Sequence, residues 1–316
     1  MPSVITDDLA AAAARVAECA AIAAAKLIGR GDEKAADQAA VDAMRTALNA
    51  LPMRGRIVIG EGERDEAPML YIGEEVGTGA GPEIDIALDP LEGTTLTAKA
   101  MANALAVIAF APRGGLLHAP DTYMDKIAVG PGYAPGVIDL DRSAGENVLR
   151  LAEAKGVPPS DIGVCVLDRP RHAEIIAALR TVGARVHLIS DGDVAGVIST
   201  TDAATGIDLY VGSGGAPEGV LAAAALKCVG GQFQGRLVFR TDDERRRAER
   251  TGVTDFDRRY DLNELATGDA IFVATGVTSG SLLDGVRVRN GSVTTHTLVM
   301  NSATGTVREI KTRRRV

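Results

Sequence analysis

Apolar residues at Leu9, Ala12, Val16, Ala20, Ala23 and Leu27 recur near the helical period and predict one surface helix over 7–28. Acids in its first turn and Lys26 and Arg30 near its end suit the helix dipole. After Gly31 a second stripe runs through Val41, Met44 and Leu48 and ends before Pro52, with Asp37 on the same stripe. The pattern then changes to strands. RIVIGEGE reads as a buried strand entering a glycine turn, and EIDIALDP as a strand stopped by Pro90; both finish in carboxylates. A short helix from about Thr95 to Met101, a strand at ALAVIAF and two extended pieces, GLLHAP and DKIAVGPG, follow.

Beyond about residue 158 strands and helices alternate: strand IGVCVL, helix 171–182, strand ARVHLI, a helix after Asp193, strand IDLYVG, helix 217–228. That rhythm implies a mostly parallel sheet with helical cover. From Ile271 the chain returns to strands, and Asn290-Gly291 is the strongest hairpin signal. The expected fold is α/β, with α+β layering: stacked helix and sheet layers in two subdomains, 1–158 and 159–316, and a cleft between them.

Composition narrows the function. The 316 residues are 46% hydrophobic and 24% charged, enough apolar content for a sizeable core. With 34 Lys+Arg against 42 Asp+Glu, net charge −8, no Trp and ten Phe plus Tyr, nucleic-acid binding is not expected. No stretch reaches the roughly 20 apolar residues of a spanning helix, and no secretory signal opens the chain, so neither membrane insertion nor export is expected. Cys19, Cys165 and Cys228 are too few and too scattered for a disulfide frame or zinc cluster, which points to a reducing cytoplasm.

The chemistry concentrates in Asp89-Pro90-Leu91-Glu92-Gly93-Thr94-Thr95. Proline keeps Asp89 extended and Gly93 allows a sharp turn, so two acids and a hydroxyl crowd one turn at a helix start. Such oxygen ligands suit Mg²⁺ or Mn²⁺, and the helix start offers N–H groups to phosphate; the same pattern also serves as an acidic turn capping a helix. In Gly60-Glu61-Gly62-Glu63-Arg64-Asp65-Glu66, Glu63, Asp65 and Glu66 read as a solvated loop. Glu61 follows an apolar strand at once, and its burial calls for a cation. Asp37 poses the same problem unless it is a helix N-cap. In Val211-Gly212-Ser213-Gly214-Gly215-Ala216-Pro217-Glu218, the dinucleotide and P-loop patterns both fail, leaving Glu218 as a metal ligand or a helix-dipole residue.

Cationic groups come from Asp168-Arg169-Pro170-Arg171-His172, where two arginine forks at a strand end match phosphate oxygens, unless they only begin the helix. Asp191 and Asp193 sit at the equivalent sheet edge, where they suit sugar hydroxyls, although Asp193 could equally cap the next helix. The four histidines form no metal spacing and pair with no nucleophile. The cluster from Asp242 to Arg247 reads as a solvated helix, and the basic tail Lys311 to Arg315 as a solvated end.

Seven segments, IGRGDEKAAD, GEGERDEAPMLYIGE, DPLEGTT, APDTYMDKIAVGPG, RPRH, DGDVA and GSGGAPEGV, in this order and spacing, resemble the class II fructose-1,6-bisphosphatases of the lithium-sensitive phosphatase superfamily. Glu92, where related phosphatases carry Asp, fits the class II pattern, and no motif residue is replaced. The resemblance implies a sugar-phosphatase-like fold and a cytoplasmic homo-oligomer, dimer or tetramer. It further implies that Asp37, Glu61, Asp89, Glu92 and Glu218 hold Mg²⁺ or Mn²⁺, with Thr94 positioning the attacking water. Glu92, Gly93 and Thr94 would touch the scissile phosphate. Tyr123, Arg169, Pro170, Arg171, Asp191, Gly192, Asp193 and Gly215 would line the rest of the substrate site, with Tyr123 named by the resemblance alone.

The expected reaction is metal-dependent hydrolysis of the 1-phosphate of fructose 1,6-bisphosphate, a gluconeogenic step, with Thr94, Glu61 and Asp89 at the reacting end and Arg169 and Arg171 on the 6-phosphate. Sedoheptulose 1,7-bisphosphate is the alternative substrate. A non-catalytic sugar-phosphate sensor is a further alternative, though a sensor gains little from five acids around one anion.

Overall fold

A computed structural model describes residues 3–62 and 69–315. In chain order its elements begin with α1 (Asp7–Ala25), α2 (Glu33–Asn49), β1 (Arg54–Ile59), β2 (Glu75–Val76), β3 (Glu83–Glu92), α3 (Thr94–Ala98), β4 (Leu105–Pro112) and β5 (Tyr123–Val129). The alternating middle follows with α4 (Ala144–Lys155), β6 (Gly163–Leu167), α5 (Ala173–Thr181), β7 (Arg185–Ile189), α6 (Asp193–Ile198), β8 (Leu209–Gly215) and α7 (Ala216–Val229). The chain continues through β9 (Gln232–Val238), α8 (Asp242–Arg250), β10 (Arg259–Asp261), α9 (Leu262–Leu265), β11 (Ile271–Gly276), β12 (Arg287–Arg289), β13 (Ser292–Asn301) and β14 (Thr306–Arg315).

These elements form two compact units, one of residues 1–117 and 266–316, the other of residues 118–265. The division differs from a single break at 158. Strands β11, β13 and β14 close the sheet that β1, β3 and β4 begin, so the chain leaves the first unit after Leu117 and returns at Ala266.

The first unit is built on a sheet ordered β12-β13-β11-β4-β3-β1-β2, with β14 paired to β13 at the edge. Among the described residues, only β1 and β3 run parallel among its pairs. Helix α1 comes close to this sheet because its buried face is mostly alanine, Ala10, Ala13, Ala17, Ala20, Ala21 and Ala24 among them. The same face carries buried Glu18, whose carboxylate is taken up by Thr295, Thr312 and Arg314. Ile86, Ile108, Phe110, Ile271 and Val273 meet α1 and α2 in one apolar core. Burying such side chains stabilises by about 1.5–3 kcal/mol each.

Two expectations change here. Strand β3 does not stop at Pro90 but continues to Glu92, with a register shift between Asp89 and Glu92. Proline lacks a ladder donor, and the bulge accommodates it. GLLHAP forms no strand of its own; Leu116 makes an isolated bridge to Ala266. The Asn290-Gly291 hairpin forms as expected, both residues at positive φ (50° and 68°), between antiparallel β12 and β13.

The second unit's sheet is ordered β10-β9-β5-β8-β6-β7. Strands β6, β7 and β8 are parallel, but β5, β9 and β10 pair antiparallel, so the sheet is half as parallel as the alternation suggested. Helices α4 and α5 pack an apolar layer, Val148, Leu151 and Leu179, against Ile127, Val164 and Val166.

Candidate active site

In the first unit the acidic candidates sit where strands end. Asp32, not Asp37, caps α2, accepting from the Ala35 N–H at 2.9 Å. Asp37 therefore lies inside the helix, half-buried beside Ala36 and Ala40, and burial raises its carboxyl above the ordinary range. Glu61 follows β1, and its N–H donates to the Leu70 carbonyl at 3.1 Å. Its carboxyl is pushed up to about 8, first by burial and then by the charge of Asp37. Those two acids face one electrostatic problem, and a nearby cation would favour the charged form of both.

Asp89 and Glu92 come from the bulged end of β3. Asp89 accepts the Leu91 N–H at Oδ1, 3.0 Å away, which tightens the turn. Glu92 is buried, and Gly93 adopts φ 91°, a left-handed conformation that lets Thr94 begin α3. Glu63, Asp65 and Glu66 lie outside the described residues.

In the second unit the candidates cluster at one sheet edge. Arg169, Pro170 and Arg171 follow β6, Asp191, Gly192 and Asp193 follow β7, and Gly215 ends β8 opposite Tyr123 at the start of β5. They are carried by turns at the carboxyl ends of parallel strands, where open α/β sheets bind ligands. A cavity of about 370 Å³ lies there, walled by Tyr123, Arg169, Arg171, Asp191, Asp193 and Gly215, with Glu218 also exposed to it. Pro170 shapes the turn from outside, as first residue of a short 3-10 turn.

Local bonds decide what each wall residue is free to do. Arg171 donates both Nε and Nη2 to the Ser213 carbonyl, at 3.0 and 2.7 Å, and its guanidinium lies 4.9 Å from the Tyr123 ring. Arg169 stands 3.9 Å from Asp191 and donates to the Asp168 carbonyl. Asp193 does not cap α6, whose N-cap is left-handed Gly192; its Oδ2 accepts from buried Lys126 at 2.5 Å and from the Tyr210 hydroxyl at 3.5 Å. Glu218 has a buried Oε2 with no hydrogen-bond partner among the described residues. Burial raises its carboxyl and Asp193 adds to this, while Lys126 opposes them.

Within the first unit the raised carboxyls of Asp37 and Glu61, and within the second the orphaned Glu218 oxygen, are hard oxygen donors of the kind a divalent cation takes. Among the described residues, no three acids or histidines converge closely enough to cage an ion.

Among the cavity residues that the sequence reading did not place there are three charged ones from the α8 region. Arg240, just before α8, and Glu244 and Arg247 on it wall the cavity; of these, Glu244 and Arg247 belong to the run Asp242 to Arg247 that reads as a solvated helix. Glu244 and Arg247, three residues apart, share one face of α8, a signal masked by the charged residues around them, while Arg240 precedes the helix. Arg240 lies 4.1 Å from the Tyr123 ring and donates to Glu244 at 3.0 Å. His172 is structural as expected of a histidine without metal spacing. It is buried, with Nδ1 against the Leu167 carbonyl at 2.7 Å and Nε2 accepting the Ser213 N–H at 2.8 Å, and so ties the two arginine and glycine turns together.

Comparison with known proteins completes the picture. Residues 7–314 match the family described as bacterial fructose-1,6-bisphosphatase, glpX-encoded. Proteins named D-fructose 1,6-bisphosphatase class 2/sedoheptulose 1,7-bisphosphatase are similar over 94% of this chain. Those of Synechococcus sp. strains JA-3-3Ab and JA-2-3B'a(2-13) are 48% identical over 92% of their length, and that of Synechococcus elongatus is 47% identical over 93%. With its carboxylates placed at strand ends, its arginine-walled cavity and a match running almost end to end, the chain belongs to the bacterial, glpX-type fructose-1,6-bisphosphatase family, a family of phosphatase hydrolases.

Proposed function

We propose that the protein hydrolyses the 1-phosphate of fructose 1,6-bisphosphate to fructose 6-phosphate and phosphate. The observation that carries this reading is the arginine-walled cavity around Tyr123, a site for a phosphorylated sugar, in a chain that also carries the phosphatase carboxylates. A substrate with two phosphates is the chemistry that uses both sets of residues.

Asp37, Glu61, Asp89 and Glu92 of the first unit and Glu218 of the second are the expected ligands of Mg²⁺ or Mn²⁺. When bound, such ions lower the pKa of water and shield charge on the phosphoryl group. The chain's own residues do the rest. Thr94, fixed at the first position of α3 by the left-handed turn at Gly93, orients the attacking water with its hydroxyl. Backbone at Gly93 and Thr94 holds the reacting phosphate. Tyr123 and the arginines of the cavity anchor the sugar's far end, so that remote binding energy fixes the reacting one.

Sedoheptulose 1,7-bisphosphate is a second substrate reading, favoured by the double name of the relatives at 47–48% identity. Phosphate release from both bisphosphates and from inositol 1-phosphate, with Mg²⁺, with Mn²⁺ and with a chelator, tests the proposal. Metal-dependent release from fructose 1,6-bisphosphate supports it; no release with either metal refutes it and leaves the sensor reading. No described helix is long and apolar enough to cross a membrane, and all three cysteines are free thiols, which supports a cytoplasmic location. A homo-oligomer is expected from the resemblance, and light scattering checks it.

A further inference from the structure

Four guanidinium groups wall the cavity of the second unit, and three of them are committed to protein partners. Arg171 spends Nε and Nη2 on the Ser213 carbonyl, Arg169 faces Asp191, and Arg240 donates to Glu244 and stacks on Tyr123. Arg247 differs. Its Nε is buried with no hydrogen-bond partner among the described residues, and Asp243, one turn earlier on the same helix, pairs with Arg246 on the exposed side. A buried charged donor left unpaired is costly, so a site that keeps one is built for an acceptor that arrives from outside. The planar fork of arginine selects phosphate or carboxylate as that acceptor.

The neighbourhood accounts for the placement. Glu244, three residues earlier, is occupied: it takes the Arg240 side chain and the backbone N–H groups of Arg240 and Thr241, completing the N-terminal capping box of α8. Capping removes the acid that would otherwise close on Arg247. The helix is thus pinned at its start by its own Glu244, and one turn later Arg247 is presented to the cavity with Ala248 buried behind it.

We propose that Arg247 is the principal ligand of the phosphate remote from the reacting one, and that it sets the preference for a bisphosphate over a monophosphate. Arg169 and Arg171, the residues the sequence nominates for this role, line the same cavity beside it. The inference rests on the sugar-bisphosphatase reading for its substrate and on the geometry around α8 for the residue.

The test compares wild type with Arg247→Gln, Arg247→Lys and, as a control on the same helix, Arg246→Gln. With fructose 1,6-bisphosphate, Arg247→Gln is expected to raise KM by about ten- to a hundredfold, the range of a lost charge-assisted bond, with kcat within about threefold. Arg247→Lys, which keeps charge but not the fork, falls between. Fructose 1-phosphate, which lacks the distal group, is expected to react with unchanged kcat/KM in all four proteins. Calorimetric affinity for fructose 6-phosphate, which carries only the distal group, drops in parallel with the KM effect, while Arg246→Gln matches wild type. Unchanged KM and affinity in Arg247→Gln overturn the inference, as does an equal loss on both substrates, which marks a merely structural role. Should wild type release no phosphate from the bisphosphate, the functional reading fails by itself. The calorimetric comparison of fructose 6-phosphate with fructose still decides whether Arg247 holds a phosphate.

Discussion

Replacing Lys126 by methionine removes the cation from the most enclosed ion pair of the second unit. Lys126 projects from β5 with its side chain 1% exposed, and Asp193 at the start of α6 is 8% exposed, 2.5 Å away. Methionine matches the lysine stem in size and leaves no large void, so the change isolates charge. What remains is Asp193, with the Tyr210 hydroxyl at 3.5 Å but no paired cation, and, interacting with it electrostatically, Glu218. Breaking a buried pair by deleting one partner costs about 3–5 kcal/mol. For a protein of this size each kcal/mol moves the melting midpoint by roughly 2–4 °C, so a drop of about 6–20 °C is expected. With no tryptophan in the chain, far-ultraviolet circular dichroism is the natural probe. Lys126→Met combined with Asp193→Leu removes the stranded charge as well and is expected to be less destabilised than the sum of the two single changes. A midpoint within about 2 °C of wild type for Lys126→Met, or strict additivity in the double variant, would refute the reasoning.

Thr94→Ala is expected to abolish most phosphate release while KM stays within about threefold, because the hydroxyl orients water and does not bind substrate; steady-state kinetics decides it, and unchanged kcat removes Thr94 from the mechanism. Gly60→Ala places a methyl against the Leu70 carbonyl and 2.7 Å from the Ile57 side chain, so the turn carrying Glu61 must shift. A loss of about 1–3 kcal/mol and reduced turnover are expected, read from thermal melts and the phosphate assay. His172 is held neutral: burial foremost, and then Arg171, lower its pKa below the ordinary 6.5. Below pH 6.5 the unfolded chain binds the proton more readily, so the contribution of His172 is complete above 6.5 and is lost as pH falls toward the lowered folded value. Melting midpoints of wild type should therefore fall more steeply between pH 6.5 and 5 than those of His172→Gln; the opposite order contradicts the assignment.

The sequence by itself determined much of what near neighbours govern, though not the run of β3 past Pro90. The helical period of Leu9 to Leu27 and of Val41, Met44 and Leu48 foretold α1 and α2, the Asn290-Gly291 pair its hairpin, and the apolar run before Glu61 a strand with an acid at its end. Motif order also sufficed to place the chain in its family. Tertiary structure decided the rest, because hydrogen bonds between strands leave no mark on local pattern. A period of two says which side chains share a face but not which strand lies alongside, and so the return of β11, β13 and β14 to the first sheet was invisible. Partner choice was hidden for the same reason. Asp193 reads the same in sequence with or without Lys126 beside it, 67 residues separating the pair, and only folding brings the two together. Arg247 is the converse: written as one more charge on a solvated helix, it becomes a buried donor because the helix turns that face toward the cavity.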